Sequence, residues 1–365
     1  MTRRLSRPLG ALIVATAVLA LVATSAFGQT RSSSTSKAAP AKKYTIYLSN
    51  NFLGNDWRQQ MERVAKVSVS KGPLAGRVNL KIENVETTVQ AQINSLNNII
   101  RRHPDALLVD AGSGTALNPT LKRACAQGIL VISFDQTVTE PCAYKLSSNW
   151  NAIPRVLAAW IAKQLGGKGS VFMDLGLAGA PISAQISNGY KAVLKKFPGI
   201  KVIGTFNGSY ALGPEQSGVA SLLSAHPNVN AILTQGYGTG ALKALKQAGH
   251  APVPVTAFSY NTAAVTCLQT KGAKCILGAN PAYLSSEAIK LAVDTLDGKK
   301  AKKPAQVFIY TPYLTTNPVT ITGYGFATMQ KLVIGKNAFP KLAPGLTLPI
   351  SPTWVNITPN EAAGK

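Results

Sequence analysis

Short runs of β-branched and apolar residues alternate along most of this chain with longer stretches in which apolar positions recur every three to four residues. YTIYLS (44–49) predicts a strand, and Trp57, Met61, Val64, Ala65 and Val67 then recur at helical spacing over 56–70. VNLKIENV (78–85) alternates as a second strand, and Ile93, Leu96, Ile99 and Ile100 mark a helix over 88–102. ALLVDA (106–111) is continuously apolar, as befits a strand covered on both faces. A helix over 119–127 and the strand ILVISFDQ (129–136) follow. The rhythm then restarts. Helices over 151–165, 183–197, 214–225 and 238–249 alternate with strands over 170–176, 200–206, 230–236, 253–260 and 275–281. From Asp297 onward Pro and Gly break the pattern, leaving one expected strand, AQVFIYTP (305–312), and a long irregular tail.

Alternation of this kind predicts an α/β fold, because parallel strands need right-handed helical crossovers between them. The interruption and restart, over about 320 residues, predict two doubly wound parallel-sheet lobes rather than one core. The N-terminus has a different character. Arg3, Arg4 and Arg7 precede an apolar run from Leu9 to Val22 and the small-residue stretch ending Ala26-Phe27-Gly28. This reads as a signal peptide over 1–28, cleaved near Gly28, and the run falls short of the roughly 20 residues that span a bilayer. QTRSSSTSKAAPAKK (29–43) lacks apolar periodicity and is expected to be a disordered linker. The mature protein is therefore expected in a periplasm, in the cell envelope or outside the cell.

Export alters the meaning of the cysteines and of the charge. Four cysteines allow three pairings, and their spacing favours two local disulfides, Cys125–Cys142 and Cys267–Cys275. Without the three arginines of the leader, 35 basic residues face 14 acidic ones, a net charge of +21. The lysines stand singly or in pairs on helical faces (Lys163, Lys191, Lys195, Lys196, Lys243, Lys246, Lys290), with no interleaved aromatic stripe. That arrangement argues against nucleic acid as a partner and suits salt-screened adhesion to anionic envelope polymers. His103, His226 and His250 are far apart in sequence, and no Cys gap has metal-ligand spacing, so no metal is expected.

Ligands of open parallel sheets bind beyond the carboxyl ends of the strands. Those positions here carry Ser49 with Asn50, Asp110, Asp135 with Gln136, Gly176, Tyr210, Gln235 with Tyr237, Ser259 with Tyr260, and Asn280. Carboxamides and carboxylates pair with hydroxyls, and aromatic rings cover the apolar faces of a polyol. The same residue types also cap helices and make turns.

Taken together, SNNFLGNDWRQQM (49–61), GILVISFDQ (128–136), GLAGAP (176–181), LLSAHPNVNAILTQG (222–236) and GALKALKQAG (240–249) resemble the periplasmic sugar-binding proteins of the ribose/galactose type. The likeness runs from about Thr45 to Lys300. It implies a type I periplasmic-binding-protein fold, a three-strand hinge and a receptor component of an ABC importer. The lobes would then be 44–148 with 281–310, and 149–280 with 311–365 as C-terminal lobe and tail. The hinge would lie near Ser147-Ser148, near Pro281 and after Tyr310.

The resemblance places ligand contacts at Ser49, Asn55, Asp56, Trp57 and Arg58, with Trp57 as a stacking aromatic. It adds Asp110, and Asp135 as an acceptor of hydroxyl protons, with Gln136 where an Arg often stands. Tyr210 matches a second stacking aromatic and Asn280 a late carboxamide. The second lobe departs from the pattern. Ile186, beside Gln185, replaces an expected Arg, Gly236-Tyr237 replaces an Asn-Asp pair, and Ser259 replaces an Asp. Several charged hydrogen-bond partners are thereby lost.

Gly236-Tyr237-Gly238-Thr239-Gly240 lacks the spacing of a dinucleotide fingerprint and reads as a plain strand-to-helix turn. Gly166-Gly167-Lys168-Gly169-Ser170 precedes a strand and is not a phosphate-binding loop. No G-x-S-x-G elbow occurs. The expectation is a monomeric binding protein, without cofactor and without catalysis, for a small sugar-like ligand passed to a membrane permease. The rival readings are a sensory receptor of the same fold and a secreted carbohydrate-active enzyme acting through Asp110 and Asp135.

Overall fold

The computed structural model describes residues 42–85, 88–258, 260–300, 304–338, 341 and 343–365. The expected leader and nearly all of the expected linker lie outside the described residues, as does Ser259. In the first lobe β1 (Tyr44–Asn50), α1 (Asp56–Ser70), β2 (Val78–Asn84), α2 (Val89–Ile100), β3 (Ala106–Asp110), α3 (Asn118–Ala126), β4 (Leu130–Phe134) and β5 (Tyr144–Ser148) follow in turn. The second lobe contains α4 (Ile153–Gln164), β6 (Lys168–Asp174), α5 (Pro181–Leu194), β7 (Gly199–Phe206) and α6 (Leu212–Ala225). It continues with β8 (Ala231–Leu233), α7 (Thr239–Gln247), β9 (Val255–Phe258), α8 (Asn261–Gln269) and β10 (Cys275–Gly278). The chain returns to the first lobe for α9 (Leu284–Leu296) and β11 (Gln306–Ile309) and then reaches β12 (Tyr313–Thr315), β13 (Met329–Lys331) and α10 (Pro359–Ala363).

The first sheet has the order β11-β5-β4-β3-β1-β2, with every pairing parallel. The second runs β13-β12-β10-β9-β8-β6-β7 and is parallel except where β12 meets β10. Strands at the centre of each sheet are covered on both faces, and every residue of β3 is buried, in keeping with its uninterrupted apolar sequence. The sequence pattern missed β5, α8 and α9. β5 reads YKLSS, and its polar positions pair at the lobe junction rather than inside an apolar stripe. Most observed strands are shorter than expected: 129–136 contracts to Leu130–Phe134 and 230–236 to Ala231–Leu233. The polar residues at their ends thus belong to loops just beyond the ladder.

Each lobe carries one disulfide, Cys125–Cys142 in the first and Cys267–Cys275 in the second. Among the described residues no helix is long and apolar enough to cross a membrane.

Three crossings join the lobes, after β5, after β10 and after β11, where the hinge was expected. A fourth was not expected. The tail assigned to the second lobe stays there only through β12 and β13. Thr262 N–H then donates to the Pro344 carbonyl at 2.8 Å, Asn261 N–H donates to that of Leu346 at 2.6 Å, and Tyr260 pairs with Thr347 in an isolated bridge. From there the chain passes to the first lobe. Thr347 is held from α1 by Gln60, whose Oε1 accepts from its N–H at 2.6 Å and whose Nε2 donates to its carbonyl at 3.2 Å. Lys71 pairs with Glu361 of α10 at 2.7 Å, and Trp354 Nε1 donates to Glu287 of α9 at 3.2 Å. Nothing in the Pro- and Gly-rich sequence of the tail announced this, because its partners lie far off in sequence, from Glu287, 67 residues before Trp354, to Gln60, 287 before Thr347.

Candidate functional site

The carboxyl ends of the two sheets enclose a cavity of about 320 Å³. The loop after β1 turns into α1 through Asn55, whose side chain accepts from Arg58 N–H at 2.9 Å and so caps the helix. This cap starts the helix at the cavity and puts Trp57 and Arg58 in its first turn. Arg58 is nearly fully buried. Its guanidinium pairs with Asp110 at the end of β3, donates to Asn50 Oδ1 at 2.7 Å and lies 3.7 Å from the Asp135 carboxylate beyond β4. It also sits over the Trp57 ring, 5.4 Å from the centroid. Burial holds the Asp110 carboxyl well above the usual carboxylate range, against the pull of Arg58. Asp135 is raised for the same reason, while Arg58 and Asn280 pull it down.

Asp135 adopts φ +57°, a conformation uncommon outside Gly, Asn and Asp. Asn280 Nδ2 donates to it at 2.9 Å, and Asn280 Oδ1 accepts from Ser148 Oγ at 2.8 Å. Trp57 Nε1 donates to the Asn280 carbonyl at 2.7 Å. Residues from two of the hinge crossings and from α1 therefore fix one polar network that opens on the cavity.

Of the residues singled out from sequence, Asn55, Trp57, Arg58, Asp135, Gln136, Tyr210, Gln235, Tyr260 and Asn280 line the cavity. Others stand behind it. Ser49 and Asn50 are fully buried beneath the floor, Ser49 bonded by Gln92 at 3.3 Å and Asn50 donating to Asn84 at 2.7 Å. Asp110 touches Arg58 rather than the cavity surface. Asp56 accepts from the Tyr237 hydroxyl at 2.9 Å, a bond between the lobes, and Tyr237 stacks on Tyr260 with centroids 4.1 Å apart. Gln185 is exposed on α5 and away from the cavity. Ile182, Ile186 and Tyr190, spaced by four, take the buried face of that helix and leave 185 outside.

The second lobe uses its polar groups on itself. Asp174, which ends β6, accepts from the backbone N–H of Gly176 and Gly208 at 2.7 Å and of Gln235 at 2.9 Å. Gly176 has φ +73°, and a β-carbon there would come within 2.4 Å of Gln235 Oε1, so only glycine makes this turn. Gln235 Nε2 faces the carbonyls of Asp174 and Ser183 and the Ser187 hydroxyl. Tyr210 OH meets Ser183 Oγ at 2.6 Å. Glu215 accepts from the N–H groups of Gly238, Gly240 and Ala241 at the start of α7. The Gly-rich turn at 236–240 is thus capped by a carboxylate of the same chain, which occupies the amides a phosphate would need.

Sequence reasoning missed Asn51, Phe52, Val89, Gly112, Trp150, Leu177, Ile182, Phe258 and Thr347, all of which line the cavity. Trp150 follows the unrecognised β5 and meets Phe258 edge-on at 5.5 Å. Ile186 also lines the wall, at the position where the family resemblance leads one to expect an Arg.

Residues 46–300 match the family model described as a periplasmic binding protein domain. A ribose import binding protein of Bacillus subtilis is 23% identical over 273 residues, covering 73% of this chain and 87% of that relative. A xylitol-binding protein of Mycolicibacterium smegmatis is 26% identical over 220 residues, 58% of this chain and 59% of the relative. Among solved structures, an ABC transporter solute binding protein from Thermobispora bispora superposes with a TM-score of 0.65 at 27% identity. The match covers 73% of this chain and 83% of that one. One from Actinobacillus succinogenes with bound D-allose also gives 0.65, at 19% identity over 75% and 97% of the two chains, and shares the fold.

Proposed function

This chain belongs to the periplasmic binding protein domain family, and from that premise we propose that it is the exported, monomeric receptor of an ABC importer that closes its lobes over a sugar or polyol. The observation that carries the ligand class is the buried Arg58–Asp135–Asn280 network at the cavity. It offers a guanidinium donor, a carboxylate acceptor and a carboxamide from rigid elements, the pairing that vicinal hydroxyls require. Trp57, Trp150, Tyr210 and Tyr260 supply flat apolar faces around it. Its relatives are binding proteins rather than enzymes, and the two buried aspartates serve one guanidinium instead of flanking a scissile bond.

The mechanism is a population shift. Ligand docks on Trp57, Arg58 and Asp135. Closure about the crossings after β5, β10 and β11 adds Tyr210 and Tyr260 from the second lobe, and the closed form engages the permease. A thermal-shift screen of the protein against pentoses, hexoses and polyols tests this. A ligand at a hundred times its Kd adds about 2.7 kcal/mol to the folded state, which raises Tm by about 4 °C at this size. The absence of any shift across all sugars and polyols, confirmed by calorimetry, would reject the reading.

A further inference from the structure

The two halves of the cavity differ in kind. Arg58, Asp135, Gln136, Asn280 and Asn55 supply the first half with hydrogen-bonding groups. On the second lobe Ile182 and Ile186, one turn apart on α5, join Leu177 and Phe258 in a hydrocarbon wall. Most polar groups nearest that wall are already engaged, although Gln235 Oε1 is buried without a partner. Asp174 is bound to three backbone amides, the amide protons of Gln235 to three oxygens, and the Tyr210 hydroxyl to Ser183. A ligand hydroxyl pressed against Ile182 and Ile186 would lose water and gain no hydrogen bond from those two side chains. Leaving one polar group unpaired in a buried site lowers affinity by roughly five- to a hundredfold, whereas a methyl group at the same place gains from contact.

We infer that the site selects an amphipathic sugar, a deoxy-sugar or short-alkyl glycoside whose hydroxyls lie along one edge and whose other edge is hydrocarbon. The hydroxylated edge rests on Arg58, Asp135 and Asn280, and the hydrocarbon edge on Ile182, Ile186 and Phe258. This inference rests on the sugar-binding function proposed above and specifies which sugars. It also gives a reason for the lost second-lobe charges: a guanidinium at position 186 would serve a hydroxyl that the ligand does not have.

Titration calorimetry on the full exported chain with matched probes tests it: L-mannose against L-rhamnose, L-galactose against L-fucose, and D-glucose against methyl β-D-glucoside. In the pair that fits the pocket, the deoxy or methylated member is expected to bind at least tenfold more tightly. Equal or tighter binding of the hydroxylated member overturns the inference and leaves sugar binding in place. Silence for every probe overturns both. Ile186→Thr, which keeps the branch and adds one hydroxyl, is expected to narrow the preference at least threefold with the melting curve still cooperative. An unchanged ratio in that variant would show that the wall does not face the hydrocarbon edge, overturning the inference; Ile182→Thr gives the same readout should the first variant fold poorly.

Discussion

Both lobes end a strand in a buried aspartate, Asp110 on β3 and Asp174 on β6, yet the two carboxylates do different work. Asp110 meets a guanidinium that also reaches Asp135 beside the cavity, so its charge is linked to whatever the cavity holds. Asp174 accepts from three backbone amides and ties the loops after β6, β7 and β8 together. Glu215 repeats the second arrangement at the start of α7. One lobe sets its buried charge beside the cavity and the other uses it on loop architecture. A carboxylate at a strand end is therefore insufficient to identify a ligand contact. What decides is whether its partner is a side chain at the cavity or the lobe's own backbone.

The largest effect should come from Arg58→Met, which leaves Asp110 and Asp135 buried without a cation. Breaking a buried pair in this way costs about 3–5 kcal/mol, read from the midpoint of urea unfolding. A loss below about 1 kcal/mol would show that the two carboxylates do not depend on the guanidinium. Next, the paired variants Asp135→Ala and Asp174→Ala should separate the lobes. The first is expected to abolish detectable sugar binding, at least a hundredfold, with the fold intact. The second is expected to cost about 3 kcal/mol of stability through orphaned amides. Retained affinity in the first, or unchanged stability in the second, would erase the contrast.

The comparison also has a pH signature. Burial raises the Glu215 carboxyl to about 7 despite the three amides that pull it down. A carboxyl raised in the folded state holds its proton there while the unfolded chain has lost it. Its contribution is therefore full below about pH 4.5, the unfolded value, and is lost as pH rises through 7. Relative to Glu215→Gln, the protein should lose about 2–3 kcal/mol between pH 5 and 8, measured by urea titration at each pH. Parallel curves for the two proteins would refute it. The smallest effect belongs to the fourth crossing. Gln60→Ala removes the bonds to Thr347 and should cost about 1–2 kcal/mol. It should also accelerate hydrogen exchange at Asn261 and Thr262, whose amides bond the same segment. Unaltered exchange there would mean that the tail docks without help from α1.

The legible part of the site came from the strand-end rule and from the family resemblance. Asn55, Trp57 and Arg58 were placed through the family resemblance, and the Asn55 cap, which fixes where the next side chains point, brings all three to the cavity. Asp135 and Asn280 were readable as strand ends. Gln185 was misplaced because a helix gives no face to a single residue until its apolar neighbours Ile182, Ile186 and Tyr190 are buried. Asp56 and Tyr237 were taken for ligand contacts but bond each other across the lobes. Trp150 was missed with β5, whose polar sequence carries no strand signal.

The sequence by itself determined what repeats at short range: the strand–helix alternation, the two lobes, the local disulfides and the polar character of the strand ends. Each follows from spacing within a window of some ten to twenty residues, where backbone geometry fixes which side chains share a face. Only the tertiary structure decided how the polar groups were used. Asp110 and Asp174 are the same residue at the same kind of position, and their roles separate through partners 52 residues away in one case and 61 in the other. The tail was invisible for the same reason, since Thr347 is held by Gln60 across 287 residues. Burial makes an unpaired polar group costly, and which partner such a group finds depends on which loops the fold brings together.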